Sequence, residues 1–313
     1  MKKIWFIGSF LYFGLLFCLV IPFKKYEITL PGNITDVSEN LDFNNDIKGH
    51  FFTTYVISYD KPTIIQILAA NLAKEASLKE NKQASYYYDS FLDEELSFQY
   101  ATINSYNAAK EINELIKINY EKLGYAIVIS KNKAILGDII TEINDFKLND
   151  KTIDELNDYL KDFDEINVKA LRKGKIVTYS LKKELGLFNL SLKPYFVITN
   201  LNPTYLKLYD KDKIGGPSGG LIQALFIYYQ ITNKEITKKI GGTGTINING
   251  EVGPIGGITQ KIYTVNNKIE IFFCPKIHQE EALAAYNKLK NPSFKLVFVD
   301  NFLEALEYLE YDY

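Results

Sequence analysis

The sequence predicts an α+β protein in which one long apolar helix precedes two folded units. Three observations carry this: an uncharged run over residues 4–23, a following chain in which strand-like alternation and helix-like spacing succeed each other, and glycine-rich turns that punctuate the second half. Of 313 residues, 47% are hydrophobic and 24% charged, enough apolar material for a sizeable core and unlike a disordered chain. The net charge of −2 comes from interspersed lysines and acids, so there is no basic footprint for a phosphate backbone and nucleic acid is not an expected partner.

The first element is the run Ile4–Phe23, bounded by Lys2-Lys3 and Lys24-Lys25. Its 20 residues equal the ~20 that a helix needs to cross a hydrocarbon core. It lacks a small-x-small cleavage site, so a retained single-pass anchor is expected, with flanking charges too balanced to orient it. Cys18 and Cys274 cannot form a disulfide framework and are expected to be small buried hydrophobes. His50 and His278 are the only histidines and stand in no HExxH or CxxC pattern. Neither a metal site nor a histidine-based triad is therefore expected, and no cofactor is called for.

Residues 24–122 read as a strand and helix segment that precedes the next folded unit and packs on it. Tyr26–Leu30 alternates like a strand and stops at Pro31-Gly32, and Phe51–Ser58 is a second strand. Helical spacing marks 62–75 and 99–122, with Gly124 as stop, and the charged, tyrosine-rich 77–97 reads as a surface segment. From Tyr125 short strands succeed one another at 125–130, 139–143, 166–171 and 176–181, with a helix at 153–163. Leu136-Gly137-Asp138-Ile139-Ile140-Thr141-Glu142-Ile143-Asn144 resembles the L-x-x-G-D-x-I-x-x-I-N-G signature of PDZ domains, with Asp145 in place of the last glycine. The resemblance implies a PDZ-like domain over 123–185 that takes an extended peptide as an added strand, with Leu123, Gly124, Tyr125 and Ala126 as its carboxylate-capturing loop.

The chemistry is concentrated in two later motifs. In the first, Gly215, Gly216 and Pro217 force a tight turn, after which Gly220–Ile231 has helical length and an apolar face. Ser218 therefore sits at a helix N-terminus, where unpaired N–H groups and the dipole suit an oxyanion. An ordinary N-cap or a phosphate-cradling loop fits the same residues, although no GxxxxGK[ST] occurs in the chain. The second motif, Gly242–Lys261, reads as strand, Asn-Gly turn, strand, Gly-Gly turn and a helix bearing Lys261 in its first turn. Ile258, Ile262 and Val265 would keep that lysine dry, the condition under which an amine becomes a base.

Together the two motifs resemble the G-P-S-A-G and P-I-G-G-x-x-x-K signatures of Lon-type Ser-Lys peptidases, in the same order and 43 positions apart. Gly219 replaces the usual alanine and Gly215 a frequent aspartate. The resemblance implies a mixed α/β proteolytic domain over 186–310, with Ser218 as nucleophile, Lys261 as base, Thr243 as a hydroxyl partner of the lysine, and backbone around Gly216, Pro217 and Gly219 facing the oxyanion. The order of anchor, PDZ-like domain and Lon-like domain is similar to bacterial membrane-anchored PDZ-Lon proteins. This implies an ATP-independent serine endopeptidase cleaving proteins or peptides at the outer face of the cytoplasmic membrane, and a homo-oligomer. The alternative is a non-catalytic membrane scaffold carrying a relic peptidase domain.

Overall fold

The computed structural model describes residues 12–14, 16–43, 50–80, 86–207 and 216–311. Part of the anticipated anchor, residues 4–11 and 15, lies outside the described residues. Residues 12–14 and 16–20 are helical, with Cys18 exposed rather than buried. Among the described residues no helix is long and apolar enough to cross a membrane.

The principal elements of the first half are β1 (Tyr26–Asp36), β2 (Phe51–Tyr59), α1 (Ile64–Leu72), β3 (Ser77–Glu80), α2 (Ser90–Lys110), β4 (Lys117–Ser130), β5 (Ile139–Ile143), α3 (Ile153–Lys161), β6 (Glu165–Arg172) and β7 (Lys175–Lys182). The chain continues with β8 (Leu190–Asn202), α4 (Gly220–Thr232), β9 (Ile240–Gly242), α5 (Ile258–Val265), β10 (Ile271–Pro275), α6 (Gln279–Tyr286), β11 (Lys295–Val299) and α7 (Phe302–Tyr311).

One sheet has the order β11-β10-β9-β2-β1-β3. Its strands from β11 to β2 run parallel, whereas β1 pairs antiparallel with both β2 and β3. Alternation divides its side chains between two cores. Phe51, Ile271 and Phe273 pack with α2, α4 and α7, while Phe52, Phe272 and Cys274 pack with α5 and α6. Residues 26–80 therefore supply half of this sheet and are not a separate segment packed on the 123–185 unit. The expected strand end at Pro31-Gly32 is also corrected. The register shifts between Pro31 and Ile34 as β1 continues to Asp36, and Gly32 is required because a Cβ there would lie 2.4 Å from the Tyr55 carbonyl oxygen.

The second sheet has the order β7-β6-β5-β4-β8, with the short pieces Tyr87–Tyr88 and Phe146–Lys147 attached to β4 and β5. Its pairings are all antiparallel. The helix expected over 99–122 ends at Lys110, and β4 begins at Lys117 and passes straight through Gly124. The reason is burial on both faces: Tyr125 and Ile127 enter the core under α3, and Ala126 and Val128 enter the core shared with α2. A strand buried on both sides reads as a continuous apolar run, which periodicity alone does not separate from helix. The segment 77–97 is not wholly superficial either, since α2 starts at Ser90 and buries Asp93, Leu96 and Ser97.

The Leu136-Gly137-Asp138 motif has a structural cause. Gly137 takes φ +85°, and the fully buried Asp138 accepts a two-pronged bond from Arg172, with both N···O distances 2.7 Å. Asn144 and Asp145 both hold positive φ in the hairpin after β5, a conformation that Asp tolerates in place of the signature glycine.

Candidate active site

The site lies where the parallel strands of the first sheet end. Gly216, at φ 149°, leads into a 3₁₀ turn over Pro217–Gly219 that runs directly into α4. Ser218 is half-buried at this junction. Its backbone is held by the sheet: the Ser218 carbonyl accepts the Gly244 N–H at 2.8 Å and the Thr243 hydroxyl at 3.2 Å. On the other side the Ser97 hydroxyl of α2 donates to the Pro217 carbonyl at 3.0 Å. Gly220 allows α2 this close, because a Cβ on it would lie 2.3 Å from the Ser97 Oγ.

Lys261 approaches from the opposite face of the sheet. The turn before α5 places Gly257 at φ +68°, and the Ile255 N–H is received by the His278 Nε2 at 2.9 Å, so His278 holds the turn and not the reaction centre. His50 makes a contact with the Lys238 carbonyl. One turn into α5, Lys261 is 2% exposed among Ile258, Ile262 and Val265. Its Nζ lies 2.9 Å from the Ser218 Oγ and 2.8 Å from the Thr243 Oγ1.

Burial pulls the Lys261 amine down from the usual lysine range to about 7. A negative charge on neighbouring Cys274 would oppose this, but burial pushes that thiol up to about 12 and keeps it neutral. With the amine neutral, the hydrogen bonds admit an arrangement that suits proton transfer. Thr243 gives its only proton to the Ser218 carbonyl, so the amine must donate to Thr243 Oγ1. The amine at 2.9 Å can then turn its lone pair to the Ser218 hydroxyl proton, whereas the ammonium donates to the same oxygen. Ser218, Thr243 and Lys261, predicted as a set, are thus brought together. Gly216 and Gly219 stand on either side of Ser218 in the turn. Pro217 has no N–H and shapes the turn without donating, so the amides available at this helix entry are those of Ser218 and Gly219.

Residues 211–310 match the Lon protease (S16) C-terminal proteolytic domain. Over 50 residues the chain is 44% identical to Lon protease 1 of Syntrophotalea carbinolica. That stretch is 16% of this chain, and the chain spans only 6% of that protein's length. The Lon match begins well after β1 and β2, although both strands belong to the sheet that carries the site. Ser97 likewise lies outside the match. Its sequence signal was the four-residue spacing of Leu92 and Leu96, both packed into the core beneath α4.

The structure does not place Leu123, Gly124, Tyr125 and Ala126 in a loop. They lie within β4, where Tyr125 and Ala126 pair with β5 on one edge and with β8 on the other. No edge remains there for an added peptide, and a Cβ on Gly124 would lie 2.0 Å from the Ile140 carbonyl oxygen. The second sheet instead carries a groove of about 700 Å³ between α3 and the start of β8. Ile143, Ile153, Leu160, Phe188 and Leu192 line it, with Lys161 and Lys183 also present. Here β8 is the last strand of its sheet among the described residues.

Proposed function

We propose that this chain is an ATP-independent serine endopeptidase in which Ser218 is the nucleophile and Lys261 the general base. The observation that carries the reading is the 2.9 Å approach of a buried amine, drawn down to about 7, to the Ser218 hydroxyl. As the Ser218 Oγ bonds to a peptide carbonyl carbon, its proton passes to the Lys261 lone pair. Negative charge gathers on the carbonyl oxygen at the entry to α4, where first-turn amides and the helix dipole favour it. Collapse breaks the C–N bond, and the Lys261 ammonium returns the proton to the leaving amine. A water molecule, deprotonated by Lys261, then cleaves the acyl-serine ester and restores both groups. Every proton transfer closes on Ser218, Lys261 and water; the nucleotide independence rests on the resemblance to membrane-anchored PDZ-Lon proteins.

In the same proposal, the groove beside β8 receives an extended apolar peptide segment as an added strand, in place of the position first expected at Leu123–Ala126. An edge strand facing a helix across an apolar groove supports this. The uncharged run 4–23 supports attachment to a membrane, and the outer-face side follows from the resemblance to membrane-anchored PDZ-Lon proteins. The test incubates the full chain with an unfolded casein-like protein, with and without ATP, beside Ser218→Ala and Lys261→Ala. Cleavage by the parent alone, equal in both conditions, is expected. Cleavage by either variant overturns the dyad, and cleavage only with ATP overturns the nucleotide independence.

A further inference from the structure

Helix α1 turns an apolar stripe to the outside. Thr63 and Gln66 form a reciprocal capping box that fixes its start. From there Ile65, Leu68 and Leu72, spaced by three and four residues, are 53%, 54% and 87% exposed. Ala69 on the same face is exposed too, whereas Ala70 on the opposite side is buried. A water-facing surface helix carries polar residues at such positions; this one carries none of them on that stripe.

The stripe adjoins the place where the N-terminal apolar run joins the folded protein. The Phe23 N–H donates to the Pro62 carbonyl at 2.8 Å, and Pro22 bridges Thr63, so the run ends against the first turn of α1. Phe17, Val20 and Phe23 of that run are exposed as well. Lys24, Lys61 and Lys74 are exposed around it, together with Asp60 and Glu75. An apolar helical stripe beside the end of an uncharged run, bordered by three lysines and two acids, fits a helix that lies in the plane of a bilayer interface.

We infer that α1 docks on a phospholipid bilayer through Ile65, Leu68 and Leu72, beside the N-terminal run. The inference rests on the membrane reading of that run and adds a second, in-plane contact to it. The contact reaches the reaction centre: the Glu75 carbonyl, three residues beyond α1, accepts the Gln260 side-chain amide at 3.1 Å, and Gln260 precedes Lys261. Docking therefore holds the catalytic helix α5 near the lipid surface and favours membrane-proximal segments as substrates.

The test uses the full chain in phosphatidylethanolamine–phosphatidylglycerol vesicles, with an environment-sensitive nitrobenzoxadiazole probe on one introduced cysteine. Cys18→Ser removes the exposed thiol, and Cys274 is buried. Probes at Leu72→Cys and Phe17→Cys are both expected to shift to the blue and lose most of their emission to nitroxide-bearing lipids, while one at exposed Lys175→Cys does neither. Quenching at 17 without quenching at 72 overturns the docking and leaves the anchor standing. Loss of quenching at both positions overturns the membrane reading as well. A blue shift at 72 that is insensitive to the lipid quencher assigns the stripe to a protein partner, a second copy included, and overturns the inference.

Discussion

Replacing Lys261 by methionine should stabilise the fold near neutrality, the opposite of what removal of a buried, doubly hydrogen-bonded side chain usually does. Below about pH 7 the amine is protonated in both folded and unfolded chains, and the folded state bears the full cost of a buried ammonium. Between about 7 and 10.5 only the unfolded chain binds the proton, so stability rises with pH. Above that range neither state is charged and the cost is gone. At about 1.4 kcal/mol per unit, the depression from 10.5 to about 7 corresponds to roughly 5 kcal/mol at the low-pH limit. Methionine loses the contacts to Ser218 and Thr243, about 1 kcal/mol each, but fits the apolar wall of Ile258, Ile262 and Val265. The expected net gain is therefore about 2–3 kcal/mol at pH 7, shrinking to nothing or reversing by about pH 10. Urea unfolding of both proteins at about pH 6, 7.5 and 9.5, followed by circular dichroism, measures this as a midpoint difference at constant slope. A variant less stable than the parent at pH 7, or a difference that does not change with pH, would refute the account of a desolvated amine.

The same amine sets the pH dependence of cleavage: kcat/KM should rise through a single ionisation near pH 7 to a plateau, since only neutral Lys261 accepts the Ser218 proton. Thr243→Val removes the acceptor that favours the ammonium, so the kinetic ionisation should move to lower pH and kcat fall roughly tenfold to a hundredfold. Thr243→Ser should restore both, and an unshifted profile in the valine variant would remove Thr243 from this role. Gly220→Ala should cost about 1–3 kcal/mol and depress kcat, because its Cβ meets Ser97 Oγ at 2.3 Å and Ile246 at 2.8 Å. A parent-like melting curve for that variant would show that α2 and the nucleophile turn are not so closely packed.

Local backbone chemistry sets the frame of the site. Glycine and proline restrict the backbone at the 3₁₀ turn and before α5, and these restrictions act over a few residues. They placed Ser218 at a helix entry and Lys261 inside a helix before any fold was known. The strands β6 and β7 and the helix α3 between β5 and β6 were legible for the same reason.

What surrounds those residues is set by the folded chain as a whole, because strand pairing and burial join positions far apart in the chain. β1 and β2 enter the sheet beside β9, where proximity in sequence had assigned them to the neighbouring unit. The double burial of β4 turned an expected helix and peptide loop into a central strand, and the edge passed to β8. The basicity of Lys261 belongs to this second class. Apolar neighbours along α5 make desolvation possible, but it is completed by the sheet and α6 packed around them, with Thr243 at the end of a different strand receiving the amine.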